Sequence, residues 1–427
     1  MITPERIMAW AIPGFFVLIA IEFAVARWRG RGDTYRGNDA INSLGLGMLS
    51  QIVGIFTKVF SIGVYAWCAR HLAPWQLPAD SVWVWVSGLL LYDLLYYVFH
   101  RASHRVAVFW AAHVVHHQSE RYNLTTALRQ TGTGFLLTWV FYLPMALLGW
   151  PVQVFALIAL IDLLYQFWVH TEQVGKLGWF DRVFCSPSNH RAHHAVNERY
   201  LDRNYGGILI VWDRLFGTFI EEDDTDPPVY GTRSPLQSWN PLWANAEVYW
   251  ALAKDAAHAK RWRDKLQVWL RPPGWRPADV AARFPKPAFD IAHAAFDPPL
   301  SRMLRAYCLL QFALLLLMGV HFLGLASKLA WPMALAYALW LVFGLYVLGA
   351  LLEGRRSALW LEAVRVLAAA VVPLASGRWF GVAHLDERIG VAMLVVFGFS
   401  ALALPWLGGR GWLHAPPPSS SQGALPG

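Results

Sequence analysis

The chain has 427 residues, of which 56% are apolar and 15% charged. A soluble globular protein has a charged fraction nearer a quarter, so this composition excludes an ordinary soluble enzyme and points to the membrane. The net charge of +8 does not argue for a nucleic-acid partner, because Lys and Arg fall in loops between apolar stretches, as orientation signals do.

A spanning helix needs about 20 largely apolar residues. Stretches that qualify lie near 8–26, 42–68, 82–99, 134–149, 151–169, 305–326, 330–350, 358–376 and 389–407. The first has no convincing small-residue cleavage site after it and reads as a retained span. Residues 133–169 are too long for one span. There Pro144 and Pro151 bracket Gly149, which predicts a helical hairpin that dips in and returns. Arg27, Arg29, Arg31 and Arg36 follow the first span, whereas 71–81 contains no Lys or Arg. The first loop is therefore expected in the cytoplasm, and counting spans puts the segments after Phe99 and Val169 on that same side.

Residues 171–304 are polar enough for a cytoplasmic layer. The expected organisation is a catalytic domain over 1–270 with its core motifs at 85–220, a Pro-rich linker at 271–304, four further spans at 305–410 and a disordered Pro/Ser-rich tail at 411–427. The last four spans carry no evident polar cluster. The predicted fold class is all-α: a polytopic membrane helical bundle with a cytoplasmic helical cap. Cys68, Cys185 and Cys308 form no CxxC pair, so neither a disulfide framework nor a thiolate metal site is indicated.

The histidines are the strongest signal. Nine of fifteen fall between His100 and His194, where uniform scattering would put roughly three. His100 and His104 are four apart, as are His113 and His117 around His116, and His190 and His194 around His193. Residues at i, i+3 and i+4 of a helix share a face, so each cluster presents imidazoles to a common point. A single HxxxH is weak, and one HxxHH is ambiguous with a zinc site. Three clusters at span ends on one membrane face are a different matter. Imidazole suits iron, and eight or nine nitrogens exceed one ion's coordination number, so two ions are implied. His170, at the end of a span, is the candidate ninth ligand. Asp93, two helical turns before His100, is expected to accept the second N–H of a ligating imidazole, and Asp162, eight residues before His170, either to do the same or to hydrogen-bond between helices. Asn189 beside His190 is grouped with them. Isolated His71, His258, His293, His321, His384 and His414 are read as structural or surface residues.

These motifs resemble the fatty acid hydroxylase/sterol desaturase superfamily, whose pattern is HxxxH, HxxHH and a later HxxHH. Here it reads His100-Arg-Ala-Ser-His104, His113-Val-Val-His-His117 and His190-Arg-Ala-His-His194, with Tyr97-Val-Phe-His-Arg101, Asn204-Tyr-Gly-Gly and Trp212-Asp-Arg-Leu-Phe-Gly-Thr218 as flanks. The run from His116 to Gln130 resembles the alkylglycerol monooxygenase branch, although Arg105 stands where an acidic residue is expected in that branch. The resemblance implies a membrane non-haem diiron monooxygenase that hydroxylates a lipid C–H bond with O2, with the ether-linked carbon of alkylglycerols as leading substrate. The alternative is a sterol, sphingolipid or fatty-acid hydroxylase or desaturase. A reduced pterin or a partner reductase would bring electrons, since the chain has no GxGxxG, haem-binding or iron–sulfur motif. The rivals outside this class are a bis-His haem carrier, which needs paired histidines inside facing spans, and a zinc hydrolase, which leaves most of the imidazoles unexplained.

Overall fold

A computed structural model describes residues 4–376, 378–381 and 387–409. The tail at 411–427, His384 and His414 lie outside the described residues. Contacts divide the chain into two units, 1–236 with 242–294, and 237–241 with 295–427. Among the described residues there are helices, turns and two isolated antiparallel bridges, Phe184 to Leu209 and Ala195 to Tyr230.

The first unit opens with α1 (Pro4–Trp28), α2 (Gly37–Lys58), α3 (Val64–His71) and α4 (Val82–Arg105). Then come α5 (Ala107–His117), the single turn α6 (Leu124–Ala127), α7 (Leu143–Leu147) and α8 (Val152–Trp168). Short α9 (Phe180–Val183), α10 (Pro187–His194) and α11 (Val211–Leu215) precede α12 (Pro241–His258), α13 (Trp262–Leu270) and α14 (Ala278–Arg283). The second unit contains α15 (Arg302–Leu325), α16 (Trp331–Leu352), α17 (Ser357–Ser376) and α18 (Glu387–Gly409). Among the described residues, five helices are long and apolar enough to cross a membrane: Ala11–Trp28, Gly37–Lys58, Val82–Arg105, Arg302–Lys328 and Trp331–Leu352. The protein is an integral membrane protein.

Two expected elements differ in detail. The apolar run at 42–68 is not one regular span, because a π turn at Val59–Gly63 separates α2 from α3. The hairpin at 133–169 exists, but its first arm is broken into 3-10 turns at Gly134–Leu136 and Thr138–Tyr142 before α7. Pro144, which has no N–H to give an earlier carbonyl, sits in the first turn of α7 and fixes the break. Gly149 makes the reversal at φ +88, and a Cβ there would stand 2.5 Å from the Trp75 carbonyl oxygen. Beneath this hairpin Tyr65, Cys68, Tyr92, Tyr142, Met145 and Ile158 form one apolar cluster joining α3, α4, α7 and α8.

The first span is tied in by a buried carboxylate. Glu22 accepts from Tyr35 Oη, from Thr171 Oγ1 and, at 2.8 Å, from the Leu124 N–H. Its partners come from three separate loops, so one acidic residue registers α1 against the loops on either side of the histidine helices.

The second unit corrects the reading of its spans as lacking a polar cluster. Arg365 on α17 donates to both oxygens of Glu362 at 2.8 and 2.7 Å, and also to Gln311 Oε1. Tyr307 donates to Glu362 at 2.8 Å, and Gln311 donates to Ser400 at 2.8 Å. The sequence hides this network because each helix contributes one or two polar residues separated by dozens of apolar ones. Folding brings them together, and pairing makes the charges tolerable at that depth.

Candidate metal centre

Each histidine cluster is placed by a local rule. His100 and His104 lie one turn apart at the end of α4, and Val106 in extended conformation stops that helix. The chain restarts at once as α5, whose last turn carries His116 and His117, with His113 one turn before His117. His170 follows the C-cap of α8. Ser186 caps α10 and Pro187 occupies its first turn, so the eight-residue helix holding His190, His193 and His194 starts at a defined point.

The structure brings all nine imidazoles together in two abutting groups. His100, His104, His113, His117 and His193 form one, and His116, His170, His190 and His194 the other, with ligand atoms in each within 4.8 Å of one another. His117 and His194 stack across the groups, ring centroids 4.3 Å apart. His71 and His258 bond carbonyls of their own helices, His293 meets Glu120 and His321 meets Tyr337. None of these four joins either group.

Hydrogen bonding fixes which nitrogen faces inward. The Nδ1 atoms of His100, His116, His170 and His193 contact the carbonyl oxygens of Tyr205 (2.9 Å), Arg129 (3.0 Å), Gln166 (2.7 Å) and Arg203 (2.9 Å). A carbonyl accepts and never donates, so each Nδ1 carries the proton and each Nε2 is left with a lone pair. In the second group the Nε2 atoms point at one another: His170 to His116 is 3.1 Å, as is His190 to His170, and His194 to His190 is 3.2 Å. In the other group His113 Nε2 is 3.1 Å from those of both His100 and His117. The buried Nε2 atoms of His104 and His193 have no hydrogen-bond partner.

Between His116 and His170 neither Nε2 has a proton to donate, and two facing lone pairs repel. A cation between them removes the conflict. For metal–imidazole bonds of about 2.1 Å, ligands at right angles stand about 3.0 Å apart and tetrahedral ones about 3.4 Å. The observed spacings match the right-angled case, which suits five- or six-coordinate ions. The residues therefore fit iron.

Burial keeps these rings neutral. It pushes His116 down to about 4, helped by the nearby Arg129 guanidinium, and His193 down to about 3. His113, His117, His170, His190 and His194 are also held well below the usual histidine range, burial being the largest cause. The folded pKa values lie below the unfolded one near 6.5, so the unfolded chain binds more protons in acid, and stability falls as pH falls. Metal-free protein is expected to keep a constant melting temperature above pH 7. It should then lose about 1.4 kcal/mol per group per pH unit between pH 6.5 and 4, a slope that scanning calorimetry across pH reads directly.

The expected carboxylate partners are corrected. Asp93 does not touch His100; it accepts from the N–H groups of Ile208 (2.8 Å) and Leu209 (3.1 Å) and from Trp212 Nε1 (2.8 Å). Asp162 accepts from Gln166 Nε2 at 2.6 Å and does not reach His170. Asn189 donates to the Asp181 and Phe184 carbonyls. Backbone carbonyls hold these rings instead: the segment at 203–209 brings the Tyr205 carbonyl to His100, and the Gln166 carbonyl, one helical turn back, holds His170. Asp93 still acts on His100 indirectly: it anchors the segment whose Tyr205 carbonyl holds that ring. Gly207 lets the segment approach, since a Cβ there would lie 2.7 Å from Asp162 Oδ1 and 3.1 Å from Asp93 Oδ1.

Two residues not singled out in the sequence complete the frame. Arg129, fully buried, donates to the Val115 carbonyl at 2.6 Å and to Asn42 at 2.8 Å while its own carbonyl holds His116. Asp213 accepts from the Tyr205 and Gly206 N–H groups at 2.8 and 2.7 Å. Both lie within the quoted flanking motifs, which was the available signal. Arg105 turns away from the imidazoles to pair with Asp202 at 2.8 Å.

A cavity of about 440 Å³ opens onto both groups, reaching His104, His117, His193 and His194. Ala107, Trp110, Val114, Val248, Leu252 and Trp275 give it apolar walls. Its rim carries Asp202, Glu247 and Asp255 against Arg233, Arg276 and Lys286. Arg276 grips Asp255 with two bonds of 2.8 and 2.9 Å.

An all-helical membrane scaffold enclosing nine imidazoles in two groups fits a membrane enzyme that binds iron through histidine. The family model for fatty acid hydroxylase matches residues 85–218. The chain is 37% identical over 364 residues to alkylglycerol monooxygenase of Danio rerio, covering 83% of this chain and 79% of that protein. It is 33% identical over 360 residues to the Homo sapiens alkylglycerol monooxygenase, with 84% and 80% covered. A shorter match, 30% over 142 residues, covers 31% of this chain and 41% of the ornithine lipid hydroxylase OlsE of Rhizobium tropici. No solved structure matches the chain. The chain belongs to the fatty acid hydroxylase superfamily, in its alkylglycerol monooxygenase branch. It is an oxidoreductase, a monooxygenase that hydroxylates lipid.

Proposed function

We propose that this enzyme is a diiron monooxygenase working at the cytoplasmic face of the membrane, using O2 to hydroxylate the ether-linked carbon of alkylglycerol lipids. His100, His104, His113, His117 and His193 hold one ion, and His116, His170, His190 and His194 the other. The observation that carries this reading is the pair of proton-free Nε2 atoms of His116 and His170, which face one another at 3.1 Å. The alkylglycerol monooxygenase relatives supply the substrate class.

When bound, the iron pair supplies O2 reduction and oxidation of the C–H bond. The chain supplies the setting. Carbonyls of residues 129, 166, 203 and 205 lock His116, His170, His193 and His100 in one tautomer, so that these four need not lose a proton or turn before binding. The apolar cavity wall receives the alkyl chain beside His104 and His117 and keeps water away, with Trp110 ring centroids 5.0 and 5.5 Å from these two. A hydroxyl on the ether-bearing carbon makes a hemiacetal, which collapses to aldehyde and glycerol without a protein base. Electrons come from a soluble reductant such as a reduced pterin, or from a reductase.

Product analysis tests this. Purified enzyme given reduced pterin, O2 and a long-chain alkylglycerol is expected to release the long-chain aldehyde. Hydroxylated sterol or acyl lipid, with no aldehyde from the ether, would replace this reading with that of another branch of the superfamily.

A further inference from the structure

α13 carries a stripe of large apolar side chains on its exposed face, outside the spans. Trp262, Leu266 and Leu270, four residues apart, are 80%, 67% and 65% exposed. That spacing puts them in one stripe along the helix. The opposite face is already used: Val268 is buried against Ala107, Ala111 and Leu252. Three large apolar residues in a row facing water are unusual in a polar layer and mark a contact surface.

Three features choose the contact. Arg261, Arg263 and Arg271 are exposed around the stripe, and the Lys265 ammonium lies 5.5 Å from the Trp262 ring centroid. An apolar stripe flanked by basic residues and led by Trp is what the lipid–water boundary takes up. The depth is also right. The Ala107 N–H donates to the Arg271 carbonyl at 2.9 Å, and Ala107 lies two residues beyond Arg105, where the α4 span ends. The end of α13 is thereby held at the level where a span leaves the bilayer. Finally, a second copy of the chain would bring the same basic flank, and like charges at a shared contact oppose it.

The stripe also adjoins the catalytic cavity. Pro272, Pro273, Gly274 and Trp275 follow α13 directly and line the cavity that reaches His104 and His117. We propose that α13 lies in the membrane surface and forms the port through which lipid passes from the leaflet into the histidine-lined cavity. The port rests on the lipid-hydroxylase reading, while the membrane contact stands apart from it.

The test uses full-length enzyme in phosphatidylcholine vesicles containing anionic phosphatidylglycerol. The three native cysteines are buried, so a spin label can be directed to Leu266→Cys, with Asp224→Cys, whose side chain is 87% exposed, as the aqueous reference. The label at 266 is expected to favour collision with O2 over a water-soluble nickel chelate by about tenfold relative to the reference, as a site within the acyl boundary does. A ratio equal to the reference, or protection from both reagents as at a protein contact, overturns the membrane assignment.

The port is read by kinetics. W262S/L266S/L270S is expected to raise KM about fivefold or more for a long-chain alkylglycerol in vesicles. It should leave KM for a short-chain, monomeric alkylglycerol and the iron content unchanged, and W262F/L266I/L270I should restore the vesicle KM. An unchanged vesicle KM, or equal losses on both substrates, overturns the port. Absence of turnover on any alkylglycerol by the unaltered enzyme would defeat the substrate reading, and the collision ratio would still decide where α13 lies.

Discussion

His104→Ala is expected to lower bound iron from about two ions per chain to about one or fewer and to reduce lipid hydroxylation more than 100-fold. His104 is one of five imidazoles in its group, and its Nε2 is buried with no protein partner. Alanine leaves four nitrogens and a gap beside the cavity, where water enters. His71→Ala serves as the control: its ring bonds only the Trp67 carbonyl one turn back and lies on an exposed stretch of α3, so iron and activity should be untouched. Iron assay on both anaerobically purified variants separates a ligand from an abundant residue type. Equal iron in the two would show that the imidazole at 104 holds no metal.

The second large effect is expected at a residue that touches no imidazole. Asp93, 1% exposed, accepts three N–H bonds from the segment at 208–212. Asparagine keeps the shape but turns an NH2 toward donors that need an acceptor. Loss of charge-assisted bonds and an unsatisfied buried N–H together cost about 3–5 kcal/mol. Three residues before Ile208 the same loop carries Tyr205, whose carbonyl sets the His100 tautomer, so Asp93→Asn should reduce activity about 10–100-fold. Iron content and kcat should fall together while KM for the lipid stays close to that of the unaltered enzyme, because Asp93 does not line the cavity. A variant that loses lipid affinity and keeps both irons would contradict the assigned role.

Several of these features were legible in the sequence because they depend on short-range periodicity. An i, i+4 pair of histidines shares a helix face whatever the rest of the chain does, so the three clusters could be read before any tertiary contact was known. His170 was legible for a different reason: it ends an apolar run at the level where the clusters sit. Five of the nine expected spans followed from length and hydropathy alone, while the stretches at 134–149, 151–169, 358–376 and 389–407 form no described helix that is long and apolar enough to cross; the hairpin followed from Pro144, Gly149 and Pro151.

What escaped was whatever depends on long-range backbone. Asp93 lies two turns before His100, and from spacing alone a contact was the natural expectation. The loop at 203–209, more than a hundred residues away, interposes its carbonyls and takes the imidazole protons instead. A carbonyl is present at every residue and leaves no mark in a sequence, so a frame built from residues 129, 166, 203 and 205 cannot be read from residue types. The same reason hid the polar network of the second unit, whose members Tyr307, Gln311, Glu362, Arg365 and Ser400 are distributed over three helices. The stripe on α13 had a visible spacing of four, but its meaning came from the bond between Ala107 and Arg271, which sets its depth.

The central claim is that two adjoining sets of imidazoles hold two ions. Anomalous scattering at the iron edge, measured on crystals of the anaerobically purified enzyme, addresses it most directly. Two iron peaks are expected, one ringed by His100, His104, His113, His117 and His193 and the other by His116, His170, His190 and His194. A single peak, a zinc signal at either position, or peaks away from these nine nitrogens would contradict the account.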